Sequence, residues 1–347
     1  MTVSENTLGN TICEPGMGSE WKPPFFAEVD TTFIPEKYRS CLQGMTKQID
    51  RPDLKVFRSS PFREQPLCLK VICCESSEER FKRGVRECEI TEMLRGNPGI
   101  VWMLDCDIDL VSKRVALLEE DEKPLPEYLS TETLYPITIA HIGTGILDSL
   151  MQIQKAGFLY IDVHPGNIYY DEKRVKIGDF GSVLERETAG DYHELTGVRS
   201  FMAPEVWKDK MYSVQSVLYS TGMVLYWILN RCTPPFMPIR TSQEAFEKRM
   251  SGDPFPVPQF IQKYPEEMKE LYMFVEKMTA YDPADRFQSF IDARRALSLI
   301  GYDFFVKEME KSSKVSFTVG NGDLEKTVPP RFYSPVRTIL QERSDLS

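Results

Sequence analysis

Apolar positions along this chain change their rhythm between its first third and the remainder. The run CLKVICC (Cys68 to Cys74) is short, follows Pro66 and holds one charged residue, Lys70, at its centre, which predicts a strand. In SSEERFKRGVRECEITEMLRG, Phe81, Val85, Ile90 and Leu94 recur at helical spacing behind a serine cap and early acids. Gly96 and Pro98 supply the stop. Two more strand-like runs follow, IVWMLDCDIDLV and RVALLEE, joined by the turn-like pair Ser112-Lys113. The stretch EEDEKPLPEYL, with two prolines and five acids, reads as an extended connector. Beyond it Ile139, Ile142, Ile146, Leu150 and Ile153 recur at threes and fours, a helix ended by Gly157. The runs NIYY and RVKIG (167–170 and 174–178) are short strands flanking a turn. Helices resume over Tyr219 to Leu229 and Glu266 to Leu299, and the sequence after Gly301 is polar and irregular. The pattern divides the chain into a flexible tail (1–25), a strand-rich unit (26–118), a connector (119–126), a helical unit (127–300) and a C-terminal extension (301–347).

The 347 residues suffice for two compact lobes, each able to bury a core without covalent staples. Hydrophobic residues make up 41% and charged residues 27%, which excludes fibrous and wholly disordered classes. With 42 basic against 52 acidic residues the net charge is −10, which argues against nucleic acid as a partner. The most apolar region, Val217 to Leu229, is broken by Tyr219, Ser220, Thr221 and Gly222 and is too short to span a membrane. The N-terminus has neither a basic start nor an apolar stretch, so secretion is not expected. The eight cysteines show no metal-type pair and read as reduced core residues of a cytoplasmic protein.

The segment FLYIDVHPGNIYYDEKRVKIGDFG carries the most chemistry. It sets Asp162, Asn167 and Asp179 on loops around two short strands. Phosphoryl transfer needs oxygen ligands that hold a divalent metal against nucleotide phosphates, and a carboxylate to accept the hydroxyl proton. Asp162 and Asn167 in a D-x-x-x-x-N step, followed by Asp179-Phe180-Gly181, supply those groups at hairpin distance. Here the chain resembles the protein-kinase family over roughly Lys70 to Arg286. The resemblance implies an α+β, two-lobed fold with a small β-rich N-terminal lobe and a larger helical C-terminal lobe. It implies ATP and Mg2+ as cofactors and a Ser/Thr hydroxyl of a protein as acceptor.

By the same resemblance, Asp162 is the catalytic base and Asn167 and Asp179 are the metal ligands. Lys70 neutralises the α- and β-phosphates, and its helix partner is Glu87, or else Glu89. Glu87 has Ile90 at +3 and Leu94 at +7, the spacing that turns it inward. Leu117 or Leu118 would end the last N-lobe strand as gatekeeper, with Glu119 to Asp121 offering backbone contacts to adenine. FMAPEVW (Phe201 to Trp207) would close an activation segment begun at Asp179, with Glu205 paired to Arg286 of DPADRF. Several positions depart from the family pattern. No glycine-rich loop precedes Lys70, where only Gly44 is available, and Ile161 stands where an arginine precedes the base. His164 replaces a lysine on the catalytic loop, where it is the third catalytic candidate. Val198 replaces a threonine, and Val217 replaces an aspartate that anchors the catalytic loop. An active Ser/Thr kinase, a nucleotide-binding scaffold without turnover and a small-molecule phosphotransferase all accommodate these residues.

Overall fold

A computed structural model of the chain describes residues 33–316, apart from 43–44, 60–65, 75–76, 133, 186–193 and 238–239. The tail expected at 1–25 and Gly44 therefore lie outside the described residues. A short helix, α1 (Glu36–Arg39), leads into β1 (Met45–Arg51), β2 (Leu54–Ser59) and β3 (Leu67–Cys73). Helix α2 (Glu78–Met93) and strands β4 (Met103–Asp109) and β5 (Arg114–Glu120) follow. These strands form one antiparallel sheet in the order β1-β2-β3-β5-β4. β3 reads as a continuous apolar run because both of its faces are covered. Leu69 and Val71 pack outward beneath Ile34 and Tyr38 of the N-terminal segment, while Ile72 packs inward with Phe81 and Cys88 of α2. Gly84 lets α2 approach the sheet, since a Cβ there would lie 3.2 Å from Val115 Cγ2. Ser77 caps α2 by accepting the Arg80 N–H.

The remainder is helical: α3 (Leu125–Thr131), α4 (Pro136–Lys155), and, after the site strands, α5 (Pro204–Asp209), α6 (Val214–Leu229), α7 (Ser242–Ser251), α8 (Gln259–Lys263), α9 (Pro265–Met278) and α10 (Phe290–Ser316). Helix α6 is buried on nearly every side, as an apolar helix at the centre of a large lobe must be. Between α4 and α5 lie two small hairpin-like pairs. β6 (Phe158–Tyr160) pairs with β9 (Val183–Glu185), and β7 (Ile168–Tyr170) pairs with β8 (Val175–Ile177).

Two elements differ from the sequence reading. The extended connector shrinks to Asp121–Pro124, because β5 continues to Glu120 and α3 begins at Leu125 with Pro126 in its first turn. A proline there loses no hydrogen bond, so it opens a helix as readily as it ends one. The stretch after Gly301 is helical to Ser316. A helical glycine costs about 1 kcal/mol, and buried Leu297 and Phe304, with Ile300 and Phe305 packed beside them, outweigh it. The expected strand and helix runs elsewhere coincide with β3, β4, β5, β7, β8, α2 and α4, and the two-lobed α+β architecture stands.

Candidate active site

Lys70 leaves the middle of β3 opposite Leu117 of β5 and reaches α2, where its Nζ donates to Glu87 Oε1 at 2.7 Å. Glu89 is exposed on the far side of that helix, whereas Ile90 and Leu94 are buried with Glu87. The same ammonium lies 3.6 Å from Asp179 Oδ2. Burial opposes the charge on Lys70, but Asp179, Glu87 and Glu119 outweigh it and hold its pKa well above the ordinary value. Burial pushes Glu87 up to about 7 against the pull of the lysine, and the lysine holds Asp179 below the usual carboxylate range.

The loop after β6 gathers the other sequence-predicted groups. Tyr160 donates to the Gly178 carbonyl at 2.7 Å, and the Gly178 N–H donates to the Asn167 carbonyl at 3.0 Å. These bonds fix the loop after β6 against the Asp179 loop. The Asn167 side-chain amide nitrogen donates to the Asp162 carbonyl at 3.2 Å, leaving the amide oxygen for another partner. Asp179 itself adopts φ +61°, a left-handed backbone that aspartate tolerates and most residues do not. His164 accepts the Gly166 N–H on Nδ1 at 3.1 Å, so a neutral ring carries its proton on Nε2, 3.8 Å from Asp162 Oδ1. Burial raises the Asp162 pKa above its ordinary value, against opposing contributions from His164 and the Val198 N–H.

Val198 could not supply a hydroxyl, and its backbone acts instead. Its N–H donates to Asp162 Oδ1 at 3.3 Å, beside Gly197 at φ +113°. The Glu205–Arg286 pair is present and bidentate, at 2.6 and 3.0 Å, with the arginine side chain fully buried. Arg186, Thr188 and Tyr192 of the segment lie outside the described residues. Sequence reasoning missed Arg249 of α7, a buried guanidinium that donates to the carbonyls of Arg199, Ser200 (2.6 Å) and Met202 (3.2 Å).

Between the lobes lies a cleft of about 320 Å3, whose walls include Val56, Cys68, Lys70, Glu119, Tyr169 and Asp179. Its far end is the strongly acidic link Glu120 to Glu122. Arg58 of β2 donates to Asp121 and, at 3.0 Å, to Glu127, while Lys176 of β8, only 3% exposed on its side chain, binds both Glu120 and Glu122. The Asp121 N–H is bonded to the Pro66 carbonyl at 2.9 Å. Leu117 packs inward toward α2 and Leu118 outward against Tyr38, so neither expected gatekeeper lines the cleft. Strand register gives that place to Glu119, paired with Cys68 one step along the cleft face from Lys70. The turn joining β1 and β2 is Pro52-Asp53, without glycine, and Asp53 is held by Arg80 of α2.

A divalent hard cation suits the donors present. Asn167 offers an amide oxygen and Asp179 a carboxylate 46% exposed to the cleft, a number of protein ligands that Mg2+ takes when phosphates complete its shell. Among the described residues no cluster of three or more His, Cys, Asp or Glu could hold a metal unaided. No helix of the described residues is long and apolar enough to cross a membrane.

A family model described as protein kinase domain matches residues 57–298. A probable serine/threonine-protein kinase nek2 of Dictyostelium discoideum is 28% identical over 250 residues, 69% of this chain and 56% of that protein. The human MAPK/MAK/MRK overlapping kinase is 29% identical over 164 residues, 45% of this chain and 39% of that protein. A probable serine/threonine-protein kinase of Streptomyces coelicolor is 30% identical over 228 residues, 62% of this chain and 32% of that protein. The chain thus spans about half, or less, of the length of these relatives.

Proposed function

This chain belongs to the protein kinase family, and on that premise we propose that it transfers the γ-phosphoryl group of ATP to a serine or threonine hydroxyl of a protein. The observation that carries the reading is that Lys70, Asn167 and Asp179 line one cleft, with Glu87 bonded to Lys70 and the Asp162 carbonyl bonded to the Asn167 amide. Phosphoryl transfer asks the protein mainly for positioning and charge neutralisation. Lys70, steered by Glu87, presents its ammonium to the α- and β-phosphates. Asn167 and Asp179 would hold Mg2+, which when bound neutralises phosphate charge. Asp162 accepts the proton of the attacking hydroxyl, one of its oxygens being fixed by the Val198 N–H. The proton on His164 Nε2 faces the same carboxylate at 3.8 Å. A cytoplasmic setting belongs to this proposal, supported by Cys41, Cys68, Cys74, Cys88 and Cys106, which are thiols outside any disulfide.

A second reading, nucleotide binding without turnover, is favoured by the Pro52-Asp53 turn, where proline has no N–H to offer a phosphate. Incorporation of radiolabelled γ-phosphate into a generic protein substrate separates the two. Wild type should label the substrate, with Asp162→Asn at least a hundredfold slower. Equal labelling by both proteins would remove Asp162 from its role, and labelling only of small hydroxyl compounds would move the acceptor to that class.

A further inference from the structure

We infer that the side chain of Glu119 reads the nucleobase, favouring a purine that presents an amino N–H donor at its 6-position over one that does not. This rests on the ATP-binding reading of the cleft and adds to it a residue that determines specificity. The two ends of the cleft are fixed by chemistry: Lys70, Asn167 and Asp179 mark the phosphate end, and the link Glu120 to Glu122 marks the other. A base between them lies against Val56, Cys68, Tyr169 and Glu119. Glu119 faces this space because it pairs with Cys68 on the strand face that also carries Lys70, while neighbouring Glu120 turns away to Lys176.

The carboxyl of Glu119 has no dedicated partner in the fold. The nearby Lys70 ammonium is taken by Glu87 at 2.7 Å, and no described residue donates a hydrogen bond to Glu119 or forms an ion pair with it. Burial pushes its pKa up to about 8, and an amino donor brought beside it would favour the ionised form, whereas a 6-oxo group could bond only the protonated one. A polar group kept on the wall of a cleft without an internal partner is satisfied by what enters the cleft. Adenine offers two N–H donors at its 6-amino group, whereas a 6-oxopurine turns lone pairs toward the same place. Sites built to bond a particular N–H reject the analogue lacking it far more strongly than apolar pockets reject a change of shape.

The test is equilibrium binding of ATP, purine riboside triphosphate (adenine without its 6-amino group) and GTP, each as the magnesium salt, to the full chain. Wild type should bind ATP at least tenfold more tightly than the desamino analogue. In Glu119→Leu that ratio should fall at least fivefold, chiefly by weaker ATP binding. Glu119→Gln keeps a carbonyl acceptor and should retain most of the ratio, and its new amide donor should improve GTP binding severalfold. Melting temperatures of the two variants within a few degrees of wild type establish that the fold is intact. If wild type and both variants show the same ratio, the inference about Glu119 is wrong while the ATP reading stands. If no triphosphate binds wild type at all, both fall.

Discussion

Lys70 stands among more negative charge than one ammonium can neutralise, with Glu87, Glu119 and Asp179 all acting on it. Lys70→Met should lower phosphoryl transfer at least a hundredfold and still leave a folded protein. Glu87, already raised to about 7 beside the lysine, takes a proton once the lysine is gone instead of remaining a buried unpaired charge. An acid whose folded pKa lies above its unfolded value binds more protons when folded, so its contribution to stability is lost as pH rises. The variant should therefore melt near wild type at pH 6.5 and fall behind it toward pH 8.5. Retained activity in Lys70→Met would dissolve the site assignment. His141 gives the opposite slope. Burial lowers its pKa to about 4, and its Nδ1 sits 3.2 Å from the Tyr170 hydroxyl. Between the unfolded value near 6.5 and 4, the unfolded chain takes a proton that the folded one refuses. Stability is thus complete above pH 6.5 and falls by about 3 kcal/mol on acidification to 4. His141→Gln should flatten that part of the melting curve against pH, and an unchanged slope would place the proton uptake elsewhere.

Helix α5 is tied to the segment between α9 and α10 by one arginine, whose bonds set an unequal thermodynamic cycle. Arg286 binds both oxygens of Glu205 and also donates to the carbonyls of Ala280 (2.7 Å), Gln215 (3.0 Å) and Tyr281 (2.9 Å). Glu205→Ala should cost about 3 kcal/mol in urea unfolding, as a buried pair broken on one side does. Arg286→Ala should cost more, because three carbonyls lose their donor as well. The double variant should cost less than the sum by at least about 1 kcal/mol, and additive losses would mean that the pair is not coupled. That ion pair, separated by 81 positions, was legible because both residues sit in recognisable local motifs. So was Lys70 with Glu87, because Ile90 and Leu94 mark the inward face of α2. Other elements were hidden for physical reasons. β1 is an exposed edge strand whose sequence, MTKQIDR, shows no apolar alternation. Prolines at the first turns of α3, α4, α5 and α9 start helices where a composition reading sees only breaks. The cleft-facing role of Glu119 depends on a strand register one residue from that expected for Leu118, and a one-residue slip exchanges the two faces of a strand. Lys176 meets Glu120 only through the tertiary fold, which no local pattern encodes.

At the scale of the whole molecule, the two lobes work together only if α2 holds Glu87 on Lys70, and α2 is held from the C-terminal lobe by charge. Arg83, one turn before Glu87, lies 3.2 Å from Glu194, and Arg86 lies 3.6 Å from Glu185. The two acids bracket residues 186–193, which contain the phosphorylatable Thr188 and Tyr192. A phosphate on such a segment ordinarily acts by charge-assisted bonds to arginine. Ile161 offers no such arginine before Asp162, while Glu194 already accepts a bond of that kind from Arg83 of α2 and Glu185 lies in ion-pair range of Arg86. The active arrangement should therefore form without phosphorylation, so phosphatase-treated protein should retain its rate within a few-fold. All four side chains are exposed, where a single pair contributes under about 1 kcal/mol, so each break should slow transfer by only a few-fold. Arg83→Glu and Glu194→Arg should each show that loss, together with a rise in the rate when salt screens the new repulsion. Combined in one chain, the two substitutions recreate the pair with its charges exchanged, and most of the lost rate should return. A doubly exchanged protein as slow as the slower single variant would show that α2 is positioned by packing alone. Activity abolished by phosphatase and restored by an acidic residue at position 188 or 192 would show that the segment still waits for a phosphate.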